Sequence, residues 1–306
     1  MTEEYTHEDV QQLLHGRSNW GRWGDDDELG TINLITNEKR REAGALVRSG
    51  RSVSLSRPFP TTPGPDNPRP AQHYMTRTPR GIGGHSGDYY GIQYHGLTST
   101  HIDALAHVWD DRAMWNGRNP DEHITINGAT WGSIDQWADG IVTRGVLLDV
   151  AAHRGDYVRH ETPVHGTELE EITKSQGTEV GPGDALVVYS GRDQWDRENP
   201  PWGSELTDKN ETRRPGLHAS CLEFLRDNDV AIIAWDMQDC MPNPWGIPWT
   251  VHGAIFAYGM PIVDNCDLST AAAVCKEENA HEFMFSVAPL VVAGGTGSPV
   301  NPLCIF

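Results

Sequence analysis

Cysteine is scarce in this sequence, and its placement excludes several chemistries. The five in 306 residues, Cys221, Cys240, Cys266, Cys275 and Cys304, are scattered, odd in number and include no Cys-x-x-Cys pair. A disulfide framework and a cysteine zinc knuckle are thereby excluded, and free thiols in a reducing cytoplasm are expected. Basic residues are also few: 24 Lys and Arg stand against 43 Asp and Glu, a formal charge of −19. Nucleic acid and anionic membrane surfaces both demand a basic face, so neither is an expected partner. No apolar run is long enough to span a bilayer. The acidic opening Met1-Thr-Glu-Glu-Tyr-Thr-His-Glu-Asp lacks the apolar stretch of a secretory signal, and a cytoplasmic location is expected. Gly-x-Ser-x-Gly is absent and no cysteine stands next to a histidine, which leaves no nucleophilic Ser or Cys constellation.

What is present is a concentration of metal-competent side chains. Thr100-His101-Ile102-Asp103-Ala104-Leu105-Ala106-His107 orders three of them as His-x-Asp-x-x-x-His. In an extended segment residues two apart share a side, which brings His101 and Asp103 together. In a helical turn residues four apart share a face, which brings Asp103 and His107 together. A strand turning into a helix at Asp103 would aim all three into one pocket. Two imidazoles and a carboxylate suit zinc or another first-row divalent ion with a position left for water. With 14 His and 43 acids in the chain, chance alone yields roughly 0.09 such patterns. The competing reading, a histidine-rich surface turn, therefore has to be weighed against other parts of the chain.

Those parts carry a resemblance. Thr100-His101-x-Asp103-Ala104-x-x-His107 resembles the signature His-x-Gly-Thr-His-x-Asp-x-Pro-x-His of the cyclase-like metal hydrolases, the family of bacterial kynurenine formamidase and isatin hydrolase. A second landmark of that family is a histidine opening a helix with an acid twelve positions on, matched here by His252 and Asp264. Further similar stretches are Gly140 to Asp149, Pro182-Gly183-Asp184, Pro215-Gly216-Leu217 and Gly297-Ser298-Pro299. The N-terminal Trp23 to Asn33 is similar to the longer branch of the family. The departures are specific: the family's first histidine falls at Leu97, its glycine at Ser99, its proline at Leu105, and its usual second glutamate at Asp264.

The hydrophobic content of 37% is ample for a globular core. Residues 8–16 read as a short helix, and Trp20 to Asn33 as an irregular arm able to cover a pocket or a neighbouring subunit. The pattern predicts a helix over 37–49 with Asn37 as its cap, a strand over 51–57, and a proline-dense loop from Pro58 to Pro70. Strands are expected at 145–150, 185–189, 230–235, 262–263 and 283–292. Helices are expected from a capping box at Thr167 to Glu170 onward, stopping at Gly177, and over 217–225 and 252–258, with Gly259 as the last one's C-cap. No repeat and no clean linker is visible, so residues 1–306 read as one α/β domain with an irregular arm over about 1–35. The resemblance implies a mixed-sheet, barrel-like core flanked by helices.

The expected chemistry is hydrolysis of a small amide or lactone (a cyclic amide, a lactone or an arylformamide) by water activated on Zn or Mn. His101, Asp103, His107, His252 and Asp264 form the candidate metal set. His107 is the first choice for the acid/base, since a histidine near its ordinary pKa moves protons well. The resemblance implies that role for its position in one-metal relatives and a ligand role in two-metal ones. His252 and Asp264 are either ligands or a polarising pair, with His252 also a catalytic candidate. His95 would stand roughly 20 Å from His101 along a regular strand. It is assigned to substrate contact unless Gly96 bends the chain. Trp109 and Trp115 either wall an aromatic pocket or belong to the core. Arg192 either binds a substrate carboxylate or pairs with an Asp, and Asp236 either supports the site or ends a strand. A small-molecule substrate and a homodimeric or homotetrameric assembly are expected. Leu97 keeps open a second class: a metal-dependent dehydratase or cyclase, or a relative that only binds ligand.

Overall fold

A computed structural model describes residues 5–306. The first four residues of the arm and of the acidic opening lie outside the described part. The core is a nine-stranded mixed sheet, curled into a half-barrel and flanked by helices. Its strands in chain order are β1 (Ser52–Ser54), β2 (His101–Asp103), β3 (Ile141–Asp149), β4 (Ala185–Tyr189), β5 (Ile232–Trp235), β6 (Ile262–Asp264), β7 (Glu282–Val287), β8 (Gly297–Pro299) and β9 (Leu303–Ile305). They are arranged β1-β9-β7-β3-β4-β5-β6-β2-β8. The middle four, β3 to β6, are parallel, and every pairing outside them is antiparallel.

The parallel centre follows from composition. Ala185-Leu-Val-Val-Tyr and Ile232-Ile-Ala-Trp are nearly continuous apolar runs, as strands covered on both faces must be. Asn37–Ala45 packs on β3 and β7, and Ser269–Glu278 on β1 and β3. Gly166–Gln176 and Cys221–Asp227 pack against each other. The cap of the first of these helices is Thr36, whose hydroxyl accepts from Lys39 N–H, rather than Asn37. Gly166–Gln176 begins one residue before Thr167 and carries no side-chain cap, so the expected capping box does not form. Gly177 ends it in the left-handed conformation, as the sequence indicates. The last long strand stops at Val287, just before Ala288 and Pro289, because proline cannot donate to the ladder.

The N-terminal segment lies on its own chain. Residues His7–Gly16 form a helix whose second half is π-type. Asn19 N–H donates to Ala257 O, Thr31 N–H to Gly259 O and Trp20 Nε1 to Phe256 O, which fastens the arm along Ala254–Tyr258. Gly30 is required there, since a Cβ would stand 1.9 Å from Gly259 O. Among the described residues no helix is long and apolar enough to cross a membrane.

Candidate metal centre

The site is built where β2 runs between β6 and β8. His101 lies opposite Asp264 in the register with β6, and Asp103 lies opposite Gly297 in the register with β8. His101 and Asp103, two apart on one strand, share a face as expected. The helix expected at Asp103 is a single turn, closed by His107 N–H donating to Ala104 O. That turn still places His107 Nε2 3.8 Å from Asp103 Oδ1.

His95 is the main geometric difference from the straight-strand expectation. Residues 95–99 bend, and the bend folds His95 back so that its Nδ1 stands 2.9 Å from Asp103 Oδ1. His101 Nε2 is 3.3 Å from the same oxygen. The His95 and His101 rings meet edge to face with centroids 5.2 Å apart. Gly297 makes room for the His95 ring, because a Cβ there would lie 3.0 Å from its Cε1. Leu97, in contrast, belongs to the packing: it rests against the core, with Cδ1 2.7 Å from where a Cβ on Gly203 would stand.

A second group of donors faces Asp103 from β6 and the turn before Ala254. His252 Nε2 is 3.2 Å from Asp264 Oδ2 and 4.0 Å from Asp103 Oδ2. His95, His101 and Asp103 form one set whose donor atoms all lie within 4.8 Å of one another, and Asp103, His252 and Asp264 form another. Asp103 is common to both.

The donor set fits a divalent cation. Both carboxylate oxygens of Asp103 and Nδ1 of His95 are buried without a hydrogen bond, although two of these atoms are only 2.9 Å apart. Buried polar atoms are normally paired, and leaving them bare is costly. Donors that surround a small ion at about 2.0–2.2 Å stand roughly 3–3.5 Å from one another, and His95 Nδ1 and His101 Nε2 stand 2.9 and 3.3 Å from Asp103 Oδ1. Three imidazoles are also held from behind, as metal-ligating histidines usually are. His101 Nδ1 meets Ser99 O at 2.8 Å, His95 Nε2 meets Thr296 Oγ1 at 3.0 Å, and His252 Nδ1 meets the Asp239 carboxylate. His107 makes no such side-chain bond among the described residues and is 23% exposed.

Electrostatics separate the histidines. Burial pulls His101 down, but Asp103 and then Asp264 outweigh it, and the group is pushed up to about 9. Burial likewise opposes protonation of His252, and Asp239 and Asp264 override it upward. His107 goes the other way: burial first, then the neighbouring imidazoles against the pull of Asp103, bring it down to about 4. It is neutral at pH 7, and it lies below the ordinary histidine value that suits proton transfer best.

Three residues that the sequence did not single out complete the site. Asp239 holds His252 through both Nδ1 and the backbone N–H, and accepts from Thr250 Oγ1. Trp235 Nε1 and Gln238 Nε2 both donate to Asp264. All three sit at or just beyond the C-terminal end of β5, the usual place for site residues in a parallel sheet. Asp236, at the end of the same strand, instead accepts from the backbone amides of Ser190, Arg192 and Met237. Arg192 is buried, with its guanidinium bound to Leu97 O, Asp236 O and Asn265 Oδ1, so it is not free for a substrate carboxylate. Trp109 is 40% exposed and makes no ring contact with the cluster among the described residues. Trp115 is core, its indole N–H donating to Asp27 O.

Fold and site together define an α/β protein with a buried histidine and carboxylate centre suited to a divalent cation. The cyclase family model matches residues 52–240, and the chain belongs to that family. A crystal structure described as a novel cyclase is 27% identical, covers 94% of this chain and 99% of its own, and superposes with a TM-score of 0.83. An isatin hydrolase bound to the product analogue thioisatinate is 16% identical, with 89% and 99% covered and a TM-score of 0.60. Isatin hydrolase A from Ralstonia solanacearum is 16% identical, with 83% and 90% covered and a TM-score of 0.59. At that identity the two hydrolases carry the fold alone. No curated protein matches the sequence.

Proposed function

We propose that this protein is a metal-dependent hydrolase that opens a small amide or lactone bond, in a cyclic amide, a lactone or an arylformamide. The observation that carries this reading is the convergence of His95, His101 and Asp103, in which His95 Nδ1 and both Asp103 oxygens are buried and unpaired. His95, His101 and Asp103 would hold a Zn or Mn ion, with Asp264 and His252 on the far side of Asp103. When bound, such an ion supplies Lewis acidity and a water acidic enough to yield a nucleophile near neutral pH.

The chain's own residues do the rest. His107, neutral and beside the cluster, takes the proton from the attacking water and returns it to the leaving nitrogen or oxygen. Asp239 fixes the His252 ring so that Nε2 faces the centre, and Trp235 and Gln238 hold the Asp264 carboxylate in register with it. A neighbour in fold that is an isatin hydrolase, seen with a product analogue, is consistent with a cyclic amide.

The test is turnover of a panel of arylformamides, cyclic imides and lactones by protein supplied with Zn or Mn. Ring-opened or deformylated product that disappears with a chelator is the expected result. Cation uptake without hydrolysis of any member would instead favour a dehydratase, a cyclase or a ligand-binding role.

A further inference from the structure

We infer that Arg192 and Asn265 form a buried clamp that positions His95 as a cation donor, an inference that rests on the cluster being a cation site. The bend over residues 95–99 belongs to no strand or helix, so its carbonyls need partners from elsewhere. The clamp supplies them. Asn265 Nδ2 donates to Gly96 O at 2.8 Å and to Ser99 O at 3.0 Å. Arg192 Nη2 donates to Leu97 O at 2.5 Å, and Arg192 Nη1 donates to Asn265 Oδ1 at 2.8 Å. Thr100 Oγ1 closes the circuit by donating to Asn265 O at 2.7 Å.

Both members are themselves locked. Asn265 has φ of 54°, in the left-handed region that asparagine tolerates better than most residues. The Arg192 guanidinium lies over the Trp202 ring, 4.4 Å from its centroid, and its own backbone N–H donates to the Asp236 carboxylate. Only a planar fork can reach Leu97 O and Asn265 Oδ1 together, and lysine cannot replace it. The clamp acts on two donors at once. It fixes the turn that brings His95 over Asp103, and it holds Ser99 O, the carbonyl that accepts from the His101 ring. Among the described residues neither the Arg192 nor the Asn265 side chain hydrogen-bonds to the cluster's donor atoms, so both are positioning residues.

The test is affinity for Zn²⁺ or Mn²⁺ alone, read by competition with a chromogenic chelator, in wild type, His95→Ala, Asn265→Gly, Arg192→Lys and the His95→Ala/Asn265→Gly double variant. Glycine keeps the backbone conformation at position 265 and removes only the amide. Asn265→Gly is expected to weaken binding by about 10- to 100-fold, the usual effect of losing a residue behind a ligand. The double variant should lose less than the two single losses combined, since the part of the Asn265 effect that runs through His95 is already lost in His95→Ala. Arg192→Lys should weaken binding in the same way and serves if Asn265→Gly fails to fold. A folded Asn265→Gly or Arg192→Lys protein with wild-type affinity overturns the clamp alone, as do fully multiplicative losses in the double variant. Wild-type protein that takes up neither ion overturns the cation reading and the clamp with it.

Discussion

His95 and His107 lie face to face, with ring centroids 3.7 Å apart and planes 2° from parallel. Two imidazoles cannot stack so closely if both carry charge, and burial with the neighbouring imidazoles lowers His107 toward its neutral form. The two rings meet Asp103 Oδ1 at different distances: His95 Nδ1 stands 2.9 Å from it and His107 Nε2 3.8 Å. His107→Phe keeps a ring against His95 and removes that nitrogen. It should reduce turnover by about 10² to 10⁴ while elemental analysis still finds the cation. Full turnover in this variant would remove His107 from the acid/base role.

Asp103 faces His95 and His101 with Oδ1 and His252 with Oδ2. Its loss should therefore disable both halves of the centre. His101→Ala and Asp103→Asn are expected to fall below about a tenth of an equivalent of ion after incubation with excess Zn or Mn, because each removes a donor or the shared charge. His252→Ala should weaken binding less, leaving the His95, His101 and Asp103 set intact. Equal retention of ion in Asp103→Asn and wild type would place the cation elsewhere.

Position 97 gives a prediction opposite to the one its family match suggests. A histidine at 97 fits the family signature, but here the Leu97 side chain is seated near Gly203 and the core, and it is His95 Nδ1 that stands beside Asp103. Leu97→His should not tighten cation binding, and it should lower the unfolding midpoint because it puts a polar ring into an apolar seat. A tenfold gain in affinity would show that the bend can turn position 97 inward.

What could be read from the sequence follows from how local each cause is. The pairing of His101 with Asp103 depends on strand periodicity, and the identity of β4, β5 and β6 depends on apolar runs, so both were legible. The 95–99 bend was not, because it is held by Arg192 and Asn265, residues 95 and 169 positions away from the carbonyls they bind. Asp239 was missed for a related reason: nothing in Asp236-Met-Gln-Asp239 distinguishes the acid that caps amides from the one that orients His252. The mixed sheet itself was expected only through the family resemblance, since the order of nine strands is set by contacts between distant segments.

The last prediction concerns pH and lies outside the centre. The His218 ring lies beside His165, tilted by 33° with ring centroids 4.1 Å apart, and packs edge-on against Trp245 at 5.1 Å. Its Nδ1 accepts the backbone N–H of Ser220 at 3.1 Å, a bond that only an unprotonated nitrogen can receive. Burial, and after it His165, brings His218 down to about 4 from its ordinary 6.5. In the unfolded chain the ring takes up a proton as pH falls through about 6.5, whereas in the folded chain it resists until about 4. The unfolded state therefore binds more protons in that window. The contribution of His218 to stability is complete above about pH 6.5 and is lost progressively as pH falls toward 4. His218→Gln keeps a polar side chain at this position but cannot titrate. Urea midpoints measured from pH 7.5 to 4 should fall less steeply for His218→Gln than for wild type. Parallel curves for the two proteins would show that His218 takes no part in the acid sensitivity of the fold.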